Sequence, residues 1–295
     1  TVNVSAADAI DIEQLANRAT QLELELTAGA FKNVDGTDIA ALAYTDNKAV
    51  SYSADATAPT VSSASYDAAT DELSITFSEP VKHDNITYTG IRLSDDNSTT
   101  VTLDATSVDQ SDHATTMTIN VSTAKGIGIE NFGSRVASLE LALDAGTFTN
   151  ADNTGNDALA YTDDQGVSYS ADATAPTVSS AAYDAATNEL EITFDEPVEY
   201  DNVTYTSVSL SDDEGTTEIT MDGGISVDES ADGMTMTLNV SDADDIDVEA
   251  LANRAASLEL TLGAGAFTNQ DNTGNAALGY GDNQSVSYSA DATGP

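Results

Sequence analysis

His83 and His113 are the only imidazoles in this chain of 295 residues, and neither recurs elsewhere in its internal pattern. A Ser–His–Asp relay needs an imidazole between a nucleophilic hydroxyl and a buried carboxylate. Nothing in the spacing marks such a set, and both histidines read as surface residues. Cysteine is absent, which removes thiolate nucleophiles, thiolate metal sites and disulfides. Carboxylates are everywhere, 51 Asp plus Glu against eight Lys plus Arg, so no pair stands out for glycosidase chemistry. The chain is therefore expected not to be an enzyme.

Carboxylates can also hold a hard cation, and calcium takes six to eight oxygen ligands. Asp55, Glu79, Asp172 and Glu196 are the first candidates. If TVSSASYD and DELSITF pair as a hairpin, Glu79 comes beside Asp55, and Glu196 beside Asp172 in the second copy. Asp152 and Asp271 open two D-N-T-G-N loops and are further candidates. The competing reading is an acidic surface with plain turns, with Asp for an Asx-turn and Gly for positive φ.

A net charge of −43 repels itself, so folding is expected to need salt or divalent cations, as in a hypersaline or calcium-rich habitat. Phosphate binding needs basic stripes, so nucleic acid is not an expected partner. No apolar run approaches the ~20 residues of a membrane helix, and the chain is expected not to be membrane-embedded.

The elements that position these residues recur. The linker Asp55-Ala56-Thr57-Ala58-Pro59-Thr60 returns as Asp172–Thr177 and again, shortened, as Asp291–Pro295. Arg18, Arg135 and Arg254 share equivalent places, as do Phe31, Phe148 and Phe267, and Tyr52, Tyr169 and Tyr288. The first offset is 117 residues (135 − 18) and the second 119 (254 − 135), so two residues enter the last copy, expected near Gly223-Gly224. A guanidinium can snorkel along a core edge and fork onto a carboxylate, so the arginines read as structural pins.

Leu73, Ile75 and Phe77 alternate with polar residues, a half-buried strand of period two. Similar runs follow at Ile86/Tyr88, Ile91/Leu93, Val101/Leu103, Met117/Ile119/Val121, Leu139/Leu141/Leu143 and Val167/Tyr169. This pattern predicts an all-β fold of antiparallel sandwiches. One short helical turn per copy is expected after Ser5 and Ser241, with the Gly126/Gly128 copy less helical.

ITFSEPV at 75–81 and ITFDEPV at 192–198, each after a TAPTV start, resemble the Ig-like repeat domains of large prokaryotic surface proteins. Those include tandem adhesins and S-layer-associated proteins of bacteria and archaea. Their repeats often close on a D-x-x-G-N loop, which residues 152–156 and 271–275 resemble and Asp35-Gly36-Thr37-Asp38 does not. The resemblance implies a fold and an extracellular or cell-surface location, and no particular ligand.

Residues 56–172 and 173–291 are accordingly expected to be two complete Ig-like beads on a string. Residues 1–55 match only the C-terminal part of a third, and 292–295 start another linker. Half a sandwich exposes an apolar face and unpaired edges. Its missing strands belong either to a longer array upstream, the favoured reading, or to a neighbouring subunit. The expected function is a structural filament, stalk or S-layer-like protein whose partners are copies of itself or other repeats in a head-to-tail array. The alternative is an adhesin that grips a glycan or another cell. Asn3, Asn85, Asn97, Asn120, Asn202, Asn239 and Asn283 lie in N-x-S/T sequons and are candidate glycan acceptors.

Overall fold

A computed structural model describes all residues except 97–98, 105–106, 164, 214, 222–225, 229–230, 283 and 293–295, and for Ala6 and Ala7 the backbone alone. The expected insertion at Gly223-Gly224, the sequons at Asn97 and Asn283 and the last residues of the final linker lie outside the described residues. Residues 1–55 hold helices α1 (Ala6–Gln14) and α2 (Arg18–Gln21) and a few isolated bridges. The next unit runs β1 (Val61–Asp67), β2 (Glu72–Val81), β3 (Ile91–Ser94), β4 (Val101–Thr102), β5 (Ser107–Val108) and β6 (Ala114–Asn120). It continues with α3 (Thr123–Glu130), α4 (Arg135–Ser138), β7 (Glu140–Leu143) and β8 (Val167–Ser170). A second unit repeats the order with β9 (Val178–Asp184), β10 (Glu189–Val198), β11 (Val208–Ser211), β12 (Ile219–Thr220), β13 (Ser226–Val227) and β14 (Gly233–Asn239). It ends with α5 (Asp242–Ala250), α6 (Arg254–Ser257), β15 (Glu259–Leu262) and β16 (Val286–Ser289).

The fold is all-β in character, with antiparallel-rich sheets and short helices. Each unit has a five-stranded sheet, β5-β6-β2-β1-β8 or β13-β14-β10-β9-β16, and a three-stranded one, β4-β3-β7 or β12-β11-β15. The period-two residues Leu73, Ile75 and Phe77 of β2 are buried with Ile91, Leu93, Met117, Ile119, Leu141 and Phe148. Leu190, Ile192, Phe194 and their counterparts form a separate cluster in the second unit. The hairpin of β1 with β2 is present, with Tyr66 opposite Leu73. Pro80 lies inside the register break between Thr76 and Val81 of the β2–β6 ladder, where its missing N–H costs no bond.

Four expectations change. The sheets are not wholly antiparallel: β1 pairs with β8 in parallel, Ala64 opposite Val167, and β9 pairs with β16 likewise. Parallel neighbours place the start of the first strand and the end of the last at opposite ends of each five-stranded sheet. Ile86/Tyr88 is not a strand; Tyr88–Gly90 forms a 3₁₀ turn leading into β3. The glycine-containing α3 is helical over eight residues, nearly matching the nine of α1 and α5. Finally, Gly155 is not at positive φ. Asn153 takes that conformation at φ +67°, and Gly155 is needed because a Cβ would come 2.7 Å from the Gly146 Cα.

No described residue in 1–55 is buried. Phe31 is 48% exposed, whereas its counterparts Phe148 and Phe267 are fully buried. Residues 1–55 contain no counterpart of the β1–β2–β6 strands, which pack over this phenylalanine in the two following units.

Candidate functional site at the joints between units

The loop after β7 is built by one asparagine. Asn150 Oδ1 accepts from the amides of Asp152 (3.0 Å) and Thr154 (2.9 Å). That turn aims the Asp152 carboxylate at the preceding segment, where it meets three donors. Arg18 Nη2 donates to Oδ1 at 2.6 Å, and the Tyr52 hydroxyl and the Asp55 amide each donate to Oδ2 at 2.6 Å. Arg18 Nη2 also reaches the Ala151 carbonyl (2.8 Å), and its guanidinium lies over the Tyr52 ring at 5.3 Å. Thr154 Oγ1 closes the loop on the Asp55 carbonyl at 2.9 Å.

The second joint repeats this arrangement. Asn269 Oδ1 accepts from the Asp271 and Thr273 amides, and Asp271 receives Arg135 Nη2 at 2.8 Å, Tyr169 OH at 2.9 Å and the Asp172 amide at 2.6 Å. Arg135 stacks over Tyr169 at 5.4 Å, and Thr273 Oγ1 donates to the Asp172 carbonyl at 2.9 Å. The ion-paired side chains are 16% and 6% exposed at the first joint and 15% and 5% at the second. Burial pushes the Asp152 carboxyl up, but Tyr52, Arg18 and the Asp55 amide together outweigh it and hold it below its ordinary value. Two of the six expected calcium ligands, Asp152 and Asp271, thus face a guanidinium.

The other four meet as pairs. Glu79 at the end of β2 lies against Asp55, and Glu196 at the end of β10 against Asp172. Oε1 of each glutamate is buried without a hydrogen-bond partner. Burial first, then the neighbouring aspartate, raises Glu79 to about 7 and Glu196 to about 8. The Thr57 amide and the Glu79 side chain lower Asp55. Near neutrality Glu196 therefore keeps most of its proton, and Glu79 stands close to its midpoint. A glutamate raised in the folded state stabilises it fully below its unfolded value of 4.5, and that contribution disappears as pH rises through the folded value. The Glu196–Asp172 joint should accordingly loosen between pH 4.5 and about 8. Thermal melting of wild type against Glu196→Gln isolates this slope: the variant should lack it. Equal slopes would remove the proton on Glu196.

Two residues read from the sequence as unrelated surface histidines come together. Their Nδ1 atoms are 3.4 Å apart at the seam between α1 and the first complete unit. The available signal was positional. His83 lies two residues beyond β2 and His113 one before β6, and Val81 pairs with Ala114 in that antiparallel ladder. Among the sequons, Asn3, Asn85 and Asn202 are exposed, whereas Asn120 and Asn239 are half-buried. The Asn120 amide donates to Ser107 and Asp109, and that of Asn239 to Ser226.

No protein-family model and no curated protein matches the chain. Among solved structures, the N-terminal part of the bacterial S-layer protein SbsC is similar at 11% identity and TM-score 0.26, over 63% of this chain and 45% of that one. The Group B Streptococcus pullulanase SAP is similar at 7% identity and TM-score 0.20, over 70% of this chain and 22% of that one. The chain thus spans less than half the length of either. No helix among the described residues is long and apolar enough to cross a membrane.

Proposed function

We propose that this chain is a structural segment of a tandem array at the cell surface, a stalk, filament or S-layer-like assembly built from Ig-like units. The observation that carries this reading is the repeated joint. At both junctions the same Arg, Tyr and Asp meet across the seam, with the ion pair largely withdrawn from water. A spacer needs a fixed angle between successive units, and a nearly buried guanidinium–carboxylate contact supplies one. The acidic surface suits a salty habitat, where screening offsets self-repulsion.

Both halves of a further joint are prepared. Arg254 lies over Tyr288 at 5.3 Å and donates through Nη1 to the Leu251 carbonyl, while its Nε is buried without a partner. In the first segment, Asn33 Oδ1 accepts from the Asp35 amide (3.0 Å) and the Thr37 amide (2.9 Å), the same turn that aims Asp152. Arg254 is suited to the loop of a following unit, and Asp35 to the arginine of a preceding one. Sedimentation of the chain in high salt should show head-to-tail association that Arg254→Ala and Asp35→Ala each weaken. Images of the native particle as isolated monomers would overturn the array.

The adhesin alternative needs an exposed aromatic platform, and Tyr66 and Tyr183 are buried in their cores. Glycan binding by the chain would favour it. Calcium at the Glu79–Asp55 and Glu196–Asp172 pairs would replace the glutamate proton and stiffen the string. EDTA in high monovalent salt should then raise inter-unit flexibility in solution scattering while the units stay folded.

A further inference from the structure

We propose that His83, Asp84 and His113 form a binding site for a transition-metal ion of the zinc class at the seam between residues 1–55 and the first complete unit. One ligand atom from each residue lies within 4.8 Å of the others. Imidazole nitrogen with carboxylate oxygen is a donor set for zinc and its neighbours, unlike the all-oxygen sets that calcium takes.

The distance between the imidazoles is informative. At 3.4 Å the two Nδ1 atoms are farther apart than the ~2.7–3.2 Å of a good hydrogen bond between nitrogen and its acceptor. Two nitrogens bound tetrahedrally to one zinc at about 2.05 Å would stand about 3.3 Å apart. The rings are inclined at 52° with centroids 5.6 Å apart, so both nitrogens can face a common point between them. Asp84 supplies a third ligand from the solvent side, which leaves a fourth position for water.

The second unit shows what this corner does. There Tyr200 and Asp232 stand where His83 and His113 stand in the first (200 − 83 = 117; 232 − 113 = 119). Asp232 ties the corner together by itself, accepting from the Tyr200 amide at 3.1 Å and from Asn131 Nδ2, at the end of the preceding helix, at 2.9 Å. In the first unit the helix contact has moved one residue, from Gln14 Nε2 to Asp112 Oδ1. The imidazoles are left facing each other, and a metal ion would tie them as Asp232 ties its corner.

The test is calorimetric titration of the full chain with zinc chloride, in millimolar calcium to occupy the exposed carboxylates. One tight site per chain is expected. His83→Ala and His113→Ala should each weaken it more than about 100-fold, because even the partners behind metal ligands are worth about 10–100-fold. Asp201→Ala, at the place of Asp84 in the second unit, should leave it unchanged. The chain has two histidines, so NMR of the wild type reads the site independently of any variant. Zinc should shift both imidazole signals together at one equivalent. Zinc binding that leaves those signals unmoved, or that survives both histidine substitutions, would overturn the site.

Discussion

Replacing Asp271 by alanine is expected to uncouple the two complete units, at a cost of about 3–5 kcal/mol, because it leaves the guanidinium of Arg135 nearly buried and unpaired. Three donors lose their acceptor at once: Arg135 Nη2, the Tyr169 hydroxyl and the Asp172 amide. The Asp172 amide belongs to the linker, so the path between units loosens along with the ion pair. Arg135→Lys should also weaken the joint, since Nη2 serves the Asp271 carboxylate and the Gln270 carbonyl while Nη1 holds the Phe132 carbonyl, and a single ammonium cannot span both positions. Salt should matter little here, because the paired side chains are 15% and 5% exposed. The contrast is Lys32–Asp38, more than half exposed on both sides, which should contribute no more than about 1 kcal/mol. Scattering should show a stiff rod for the wild type and a broadened distribution for Asp271→Ala. Each core should retain its own melting transition. An unchanged profile and melting curve would refute the joint as a mechanical element.

The sequence already carried most of the strands and their copies, Ile86/Tyr88 excepted, and the linkers beside which the joints lie. Period-two alternation in β2 and β10 is a local signal, and the hairpin that brings Glu79 to Asp55 follows from adjacency alone. The Arg–Asp partnership was out of reach for a different reason. Arg135 is 17 residues from Asp152 in its own copy and 136 from Asp271, its actual partner in the next (152 − 135; 271 − 135). Recurrence names both residues but cannot say whether the contact lies within a unit or across the seam. The parallel pairing of β1 with β8 was hidden because alternation fixes a strand's faces and not its direction. His83 and His113 stayed apart in the sequence because β2 and β6 pair across three intervening strands and their loops.

Replacing Gly126 in α3 by alanine is expected to destabilise the first unit by about 1–3 kcal/mol, although alanine is the better helix former by about 1 kcal/mol. The reason lies in how each unit satisfies one buried tyrosine. Tyr66 donates its hydroxyl to Asp71 Oδ1 at 2.7 Å, and a Cβ on Gly126 would collide with that carboxylate. In the second unit the carboxylate comes from the helix instead. Tyr183 donates to Asp245 Oδ1 at 2.5 Å, and Asp245 stands where Gly126 stands (245 − 126 = 119). Asn188, in the place of Asp71 (188 − 71 = 117), keeps the same left-handed turn at φ +56° against +55°. The two units thus hold one carboxylate at one spot from opposite sides. Gly126→Asp alone sets a further carboxyl group against Asp71, with Glu130 Oε1 already 3.3 Å from the Tyr66 hydroxyl, and should be worse than Gly126→Ala. Adding Asp71→Asn to it recreates the arrangement of the second unit and should restore stability to within about 1 kcal/mol of wild type, the strong coupling expected of residues in contact. Thermal and denaturant melts of wild type, Gly126→Asp, Asp71→Asn and the double variant provide the cycle, with Gly126→Ala measured beside them. A Gly126→Ala chain more stable than wild type, or a double variant worse than both singles, would show that the Tyr66 hydroxyl does not depend on this exchange.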